Sequence, residues 1–325
     1  MKIPVFLLTG FLGSGKTTLL NAALRTPALA NTAVIVNEIG EIGLDNLIIS
    51  QASDNVVLLD AGCLCCVNTG ALHETLADLT YQRARGDVPP FERVIIETSG
   101  AADPAPLLNV LLGHPLVTDH YALEAVVCTV DAQHFLDARK EYPELDKQIA
   151  VADRIVVTKT DLADPAAVLK EIPGIVVTAE QAFAPYKGKH KLPSFIRPLQ
   201  SRHTRFRAYS FRPQGQISWA GWAAWSQLVK AEFGERLVRV KGLLRMDDTG
   251  EIIFVQGVQG VFHKPQRFQD WPGGENEDDR GNRLVCISKD IDEKELEATL
   301  PALNTAPGTQ ATYSLKDLQE RQAQQ

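Results

Sequence analysis

The sequence predicts an α/β protein, with a mostly parallel sheet flanked by helices and a smaller α+β C-terminal domain behind it. Three observations carry that expectation. Up to about residue 180, short runs that are apolar almost throughout alternate with segments of helical pattern, as strands buried on both faces of a parallel sheet require. Beyond residue 202 the alternation stops, and one strand, one helix and several strands follow in turn, which suits a mostly antiparallel sheet. The length of 325 residues fits about two domains.

The strand-like runs of the first part are Ile3–Leu8, Ala33–Val36, Val56–Leu59, Arg93–Ile96, Ala125–Val130, Ile155–Val157 and Ile175–Val177. Helical patterns cover Thr17–Leu24, Thr69–Arg83, Ala105–Leu112, Ala132–Lys140 and Pro165–Lys170. From residue 181 the composition changes: three prolines and a basic cluster without periodicity mark a linker running to 202. The resulting division is 1–185 for the first domain, 186–202 for the linker, 203–302 for the second domain and 303–325 for a tail. In the second domain, Phe206–Phe211, Leu237–Met246, Ile252–Val258 and Leu284–Ser288 read as strands and Ile217–Phe233 as a helix. Gly273–Asn282 reads as a solvated loop, and the chain after about Pro301 as a frayed or disordered end. Trp219, Trp222 and Trp225 recur every third residue on that helix, a spacing that suits a core stripe or, failing that, a client or dimer surface.

Charge narrows the partners. The chain has 33 Lys and Arg against 40 Asp and Glu, a net of −7, and the surplus sits in residues 1–202, with 17 basic against 23 acidic residues. Neither nucleic acid nor an anionic membrane is expected, since both need a basic footprint. No apolar run reaches the 18 or so residues of a membrane span. The apolar start at Ile3–Leu8 reads as a buried strand rather than a secretory signal, so a cytoplasmic location is expected. Five cysteines are too few for a disulfide scaffold at this length.

Gly10-Phe11-Leu12-Gly13-Ser14-Gly15-Lys16-Thr17 matches the P-loop pattern, between a strand and a helix start. Its glycines let backbone N–H groups turn toward phosphate oxygens, Lys16 supplies a point charge to the β- and γ-phosphates, and the Thr17 hydroxyl suits a Mg²⁺ shell. The helix start at Thr17 and Thr18 favours anions. Next, the strand Arg93–Ile96 runs into Glu97, with Gly100 three residues on. Glu97 suits the magnesium shell or the attacking water, and the Gly100 N–H suits a γ-phosphate sensor. Thr158-Lys159-Thr160-Asp161 follows another apolar strand and resembles a guanine reader: the Lys159 stem lies along the base and Asp161 accepts from its N–H edge. Adenine lacks that edge, so GTP is favoured over ATP. Thr158 stands where Asn is usual, and the loss of an amide tether is expected.

Cys63, Cys65 and Cys66 put three thiols within four positions, a compact set of soft metal ligands. Glu38, Glu41 and His73 are candidates to complete a four-coordinate Zn²⁺. A redox dithiol and inert buried thiols are the competing readings. Asn37–Asp45 is a glycine-punctuated acidic loop where a nucleotide-responsive switch would sit. Cys128 and Cys286 stand singly on apolar strands and read as core residues, and His114, His120 and His263 as structural histidines.

GFLGSGKTT, NEIGEIGLD, GCLCC, ETSGAADPAP and TKTD, in this order, resemble the CobW/YjiA-type GTPases, relatives of the HypB and UreG metal-insertion GTPases. Lys241-Gly242 and Phe254–Gln259 resemble the C-terminal domain of that family, so the likeness spans roughly residues 3–300. It implies a slow P-loop GTPase that acts as a metallochaperone. Gly13 to Thr18 would hold phosphates and Mg²⁺, Glu97 would take the acidic strand-end role, and Lys159 and Asp161 would read guanine. Cys63, Cys65 and Cys66, with Glu41, would bind the metal: Zn²⁺ first, with Co²⁺ and Ni²⁺ as alternatives. The second domain would recognise a client metalloprotein, and a GTP-dependent homodimer fits the resemblance. The seven histidines are dispersed, which leaves no metal-storing stretch. Two other classes remain open at this level: a P-loop small-molecule kinase with structural thiols, and a non-catalytic GTP- and metal-binding adaptor.

Overall fold

The computed structural model describes residues 2–36, 56–60, 69–172, 176–184, 206–269, 271, 281–306 and 308. The chain folds into two compact units, Met1–Tyr186 and Lys187–Gln325.

The strands of the first unit are β1 (Ile3–Gly10), β2 (Thr32–Val36), β3 (Val56–Asp60), β4 (Arg93–Glu97), β5 (Tyr121–Asp131) and β6 (Arg154–Thr158). They form one six-stranded sheet in the order β3-β2-β4-β1-β5-β6, and every pairing is parallel. Val5–Leu8, Ala33–Ile35, Val94–Ile96 and Ala125–Cys128 are each 1% exposed or less. Such burial needs both sheet faces covered, which is why these runs are apolar without alternation. The cover comes from α1 (Lys16–Leu24), α2 (Thr69–Arg85), α3 (Ala105–Gly113), α4 (Pro115–Thr118), α5 (Phe135–Glu141), α6 (Glu144–Val151) and α7 (Ala166–Glu171). Leu19, Leu20 and Leu24 of α1 pack with Phe6 and Leu8. Leu145 and Ile149 of α6 pack with Val130 and Phe135 in a second cluster.

Three expectations need correction here. The linker does not begin at 181, because Ala182 and Phe183 are buried in the first core and Phe183 meets the Phe6 ring edge-on at 5.9 Å. The expected strand at Ile175–Val177 reduces, among the described residues, to a single parallel bridge between Ile155 and Val176. The helix expected at Ala132 starts at Phe135, because the Asp131 carboxylate takes the N–H groups of Gln133 and His134 and holds a turn. Helix α6 has no counterpart among the predicted elements, although Leu145 and Ile149 stand four apart and both are buried.

The second unit contains β7 (Phe206–Phe211), α8 (Trp219–Phe233), β8 (Leu237–Arg245), β9 (Ile252–Val258), β10 (Val261–Phe262), β11 (Gln266–Phe268), β12 (Arg283–Lys289) and α9 (Glu293–Glu297). Its sheet runs β10-β9-β8-β12-β7, with β11 also on β9, and all pairings are antiparallel. Ser218 caps α8 by accepting from the Gly221 N–H at 3.0 Å. The tryptophan stripe is core: Trp222 and Trp225 are buried and Trp219 packs partly against the same cluster. The Trp225 Nε1–H donates to Thr299 Oγ1 at 2.9 Å. The packed chain continues past Pro301, since Ala302 and Leu303 are fully buried in a 3₁₀ turn, Leu300–Asn304. Among the described residues no helix is long and apolar enough to cross a membrane.

Candidate nucleotide site

The site lies where parallel strands end and helices begin, the usual position for a ligand in such sheets. β1 finishes at Gly10, and the turn into α1 has left-handed or related backbone at Gly10 (φ 145°), Gly13 (φ 69°) and Gly15 (φ 89°), conformations that L side chains rarely adopt. No side chain caps α1 and no acidic residue stands in its first turn, so its N–H groups remain suited to an anion.

Lys16 is buried, and its Nζ donates to the carbonyls of Gly10 at 2.9 Å and Phe11 at 3.1 Å. The Thr17 hydroxyl donates to Glu97 Oε1 at 2.8 Å, with Glu97 also buried. A hydroxyl and a carboxylate side by side, next to a phosphate-binding loop, are a donor set of hard oxygens that fits Mg²⁺. Gly100 is buried and Thr18 exposed. A Cβ at Gly100 would stand 2.6 Å from the Leu12 backbone nitrogen, so the loop after β4 rests directly on the P-loop.

The loop after β6 meets the same edge. Thr158 offers no amide tether, but its hydroxyl donates to the Ser14 carbonyl at 2.7 Å. A shorter side chain bonds the P-loop directly, without an amide. Lys159 has left-handed backbone (φ 56°) and its Nζ pairs with Asp131 Oδ2 at 2.7 Å. Asp161 is exposed.

Three groups escape the sequence reading. Ser14 Oγ and Thr129 Oγ1 bond at 2.7 Å, joining the P-loop to β5. Asp131 gathers Lys159 and, at 3.1 Å, His134 Nδ1. Burial pushes its carboxyl up, but the bonds from Lys159, the Gln133 N–H and His134 outweigh that and hold it below the usual carboxylate range. Its signal was legible: an Asp ending an apolar strand two and three residues before its N–H donors. Gln148, buried on α6, is the third.

The family models divide the chain as the two units do. The model described as CobW/HypB/UreG, nucleotide-binding domain, matches residues 4–182. The cobalamin synthesis protein cobW C-terminal domain matches residues 206–304. The chain belongs to the CobW/HypB/UreG family. It is 29% identical over 327 residues to the zinc chaperone YjiA of Escherichia coli (strain K12), covering 93% of this chain and 98% of that one. Over 358 residues it is 28% identical to the zinc chaperone CobW of Sinorhizobium sp, covering 93% and 97%. A crystal structure of Zn(II)-bound YjiA GTPase from E. coli superposes with a TM-score of 0.64 at 24% identity, covering 94% of this chain and 100% of that one; that likeness shows the fold.

For this CobW/HypB/UreG member the thiol candidates Cys63, Cys65 and Cys66, together with Glu38, Glu41 and the Asn37–Asp45 loop, lie outside the described residues. His73 is described, on α2, and its ring stacks on that of His114 at 4.1 Å. Among the described residues no three metal-ligating side chains converge. Cys128 and Cys286 are free and buried, as core residues, and burial pushes the Cys128 thiol up to about 12.

Proposed function

We propose that this chain is a cytoplasmic GTPase metallochaperone that carries zinc on Cys63, Cys65 and Cys66 and releases it to a client protein when GTP is hydrolysed. The nucleotide part of the reading assigns roles by position. Gly10, Gly13, Ser14 and Gly15 offer backbone N–H groups to the phosphates, and Lys16 supplies positive charge to them. Thr17 and Glu97 hold Mg²⁺, whose charge offsets that developing on the transferred phosphoryl oxygens. The Gly100 N–H meets the γ-phosphate, Thr18 lies at the α-phosphate end, and Lys159 and Asp161 read guanine, Lys159 exchanging its Asp131 partner for the face of the base.

One observation supports coupling between nucleotide and metal. Leu8 of β1 pairs with Glu97 of β4, Glu97 with Val36 of β2, and Val36 with Asp60 of β3. At about 4.8 Å per strand step, that row spans roughly 14 Å. It runs from the P-loop strand through the magnesium carboxylate to the two strand ends that lead into Asn37–Asp45 and Cys63–Cys66. GTP that orders the acidic loop would bring Glu41 toward the thiols and tighten the metal site, and hydrolysis would loosen it. Zinc suits three thiolates, and relatives along the whole length are named zinc chaperones. In this reading 186–202 links the GTPase domain to a client-recognising second domain, and two copies pair in the GTP-bound state.

The test is Zn²⁺ competition against a chromophoric chelator, with and without a nonhydrolysable GTP analogue and Mg²⁺, repeated with Co²⁺ and Ni²⁺. Zn²⁺ should bind more tightly with the analogue, and the analogue more tightly with Zn²⁺ by the same factor. Equal affinities in the two states would sink the coupling. Phosphate transfer to a small molecule that survives loss of all three cysteines would identify a kinase instead.

A further inference from the structure

The sequence places phosphate contacts on the P-loop and on the loop after β4, but says nothing about what holds the second against the first. Helix α6 does. Gln148 is buried, and its Nε2 donates to two backbone carbonyls of the β4–α3 connection: Gly100 O at 3.0 Å and Ala102 O at 3.1 Å. Two acceptors facing one amide end fix its orientation, since the flipped amide would set oxygen against oxygen. Oε1 is buried and finds no partner among the described residues, and Gln148 lines a pocket with Phe11, Leu12 and Thr129. The next residue back, Lys147, bonds Asp103 Oδ2 at 2.9 Å, and Asp103 Oδ1 takes the Ala105 N–H. The turn between α5 and α6 touches the P-loop as well, with the Tyr142 ring 4.8 Å from that of Phe11.

We infer that Gln148 is a positioning residue for GTP hydrolysis: it fixes the Gly100 peptide where its N–H meets the γ-phosphate. The inference rests on the γ-phosphate reading of Gly100 made above. The Gly100 carbonyl and N–H sit on adjoining peptide planes joined through the Gly100 φ and ψ. Anchoring both the Gly100 and Ala102 carbonyls limits how far that backbone can turn. The neighbouring contact allows little slack, because Gly100 lies against the Leu12 backbone. Gln148 touches neither nucleotide nor reacting atoms in this scheme; it acts through Gly100. It also gives the α5–α6 surface a mechanical route to the nucleotide, since a displacement of α6 must pull on the γ-phosphate loop.

The experiment compares wild type with Gln148→Leu in the full chain, measuring GTP turnover and the affinities for GDP and for a nonhydrolysable GTP analogue. Wild type should prefer the analogue over GDP. Gln148→Leu should keep its GDP affinity within about threefold, lose that preference, and hydrolyse saturating GTP at least about tenfold more slowly. Unchanged turnover and preference in the variant would overturn the inference, as would equal weakening of both nucleotides, which marks a structural role only. If wild type itself shows no preference between analogue and GDP, the γ-phosphate reading of Gly100 fails instead. Should Gln148→Leu not fold, the side-chain amide resonances of Gln148 in wild type decide. They should shift and exchange more slowly when the analogue replaces GDP, and identical behaviour in the two states would overturn the proposal.

Discussion

The two sheets use their buried polar side chains differently. In the first unit several of these groups gather at the edge where the P-loop lies and bond across strands and loops. Thr98 Oγ1 donates to Thr9 Oγ1 at 3.1 Å, Ser14 bonds Thr129 at 2.7 Å, and Thr17 bonds Glu97 at 2.8 Å. In the second unit the buried threonines close local turns, Thr299 donating to the Leu296 carbonyl at 2.6 Å and Thr305 to that of Ala302 at 2.7 Å. Longer-range bonds there, such as Trp225 to Thr299, tie the aromatic core together. Parallel strands all deliver their C-termini to one edge, where the following helices start, so polar groups and helix N-termini converge. An antiparallel sheet sends alternate strand ends to opposite edges, and what converges in its interior here is aromatic. The difference separates chemistry from packing, and mutation can break that separation.

The largest effect belongs to packing. Trp225 is fully buried, with Trp222 at 5.5 Å and Phe262 edge-on at 5.7 Å. Trp225→Ala should cost about 3–5 kcal/mol of second-unit stability, read from urea unfolding, while GDP affinity stays unchanged. Loss of GDP binding under conditions where the second unit is still folded would erase the division.

Lys16→Ala should do the reverse. On the proposed reading it removes positive charge from the phosphates, and GTP turnover should fall on the order of 100-fold with second-unit unfolding unaltered. A variant that still turns over at the wild-type rate would remove Lys16 from the chemistry.

A pH effect should separate the units by a smaller margin. His263 is buried in the second unit, and burial pulls its imidazole down from 6.5 to about 4. A histidine with a lowered folded pKa is neutral when folded and takes up a proton on unfolding, so stability falls as pH drops from 6.5 toward 4 and no further below that. Between pH 7 and pH 5 the loss is about 2 kcal/mol. His263→Leu should flatten that dependence in pH-resolved unfolding of the second unit, and an equal slope in the variant would assign the effect to other groups.

How legible the molecule was in its sequence follows the same division. Strands such as Ile252–Val258, and the phosphate loop from Gly10 to Thr17, stand out because each is written in contiguous residues with a physical period or a fixed spacing. Glu97 stood out because it ends an apolar strand. Gln148 and Thr129 did not, because their meaning lies in partners 48 and 115 residues away, and no local pattern encodes such distances. The second-unit boundary was misjudged for a related reason: Leu303 looks like the start of a polar tail, yet it is buried against α8. The composition change at residue 181 misled as well, since Ala182 and Phe183 are still buried in the first core.

Thr158 gives the smallest and sharpest test of the polar edge. Its hydroxyl donates to Ser14 O at 2.7 Å and lies 3.2 Å from Val130 O, and its methyl lies where a side chain on Gly15 would meet it at 3.4 Å. Thr158→Val keeps that shape and removes only the hydrogen bond. The net value of such a bond is about 1 kcal/mol, so GDP and GTP analogues should both bind about fivefold more weakly, with thermal unfolding of the second unit unchanged. Both nucleotides should weaken together, because the bond steadies the P-loop around Ser14 and does not reach the γ-phosphate. A loss confined to the analogue would place Thr158 in the γ-phosphate network with Gly100. Unchanged affinities would mean that the remaining bonds, Lys16 to Gly10 and Phe11 and Ser14 to Thr129, hold the P-loop without it.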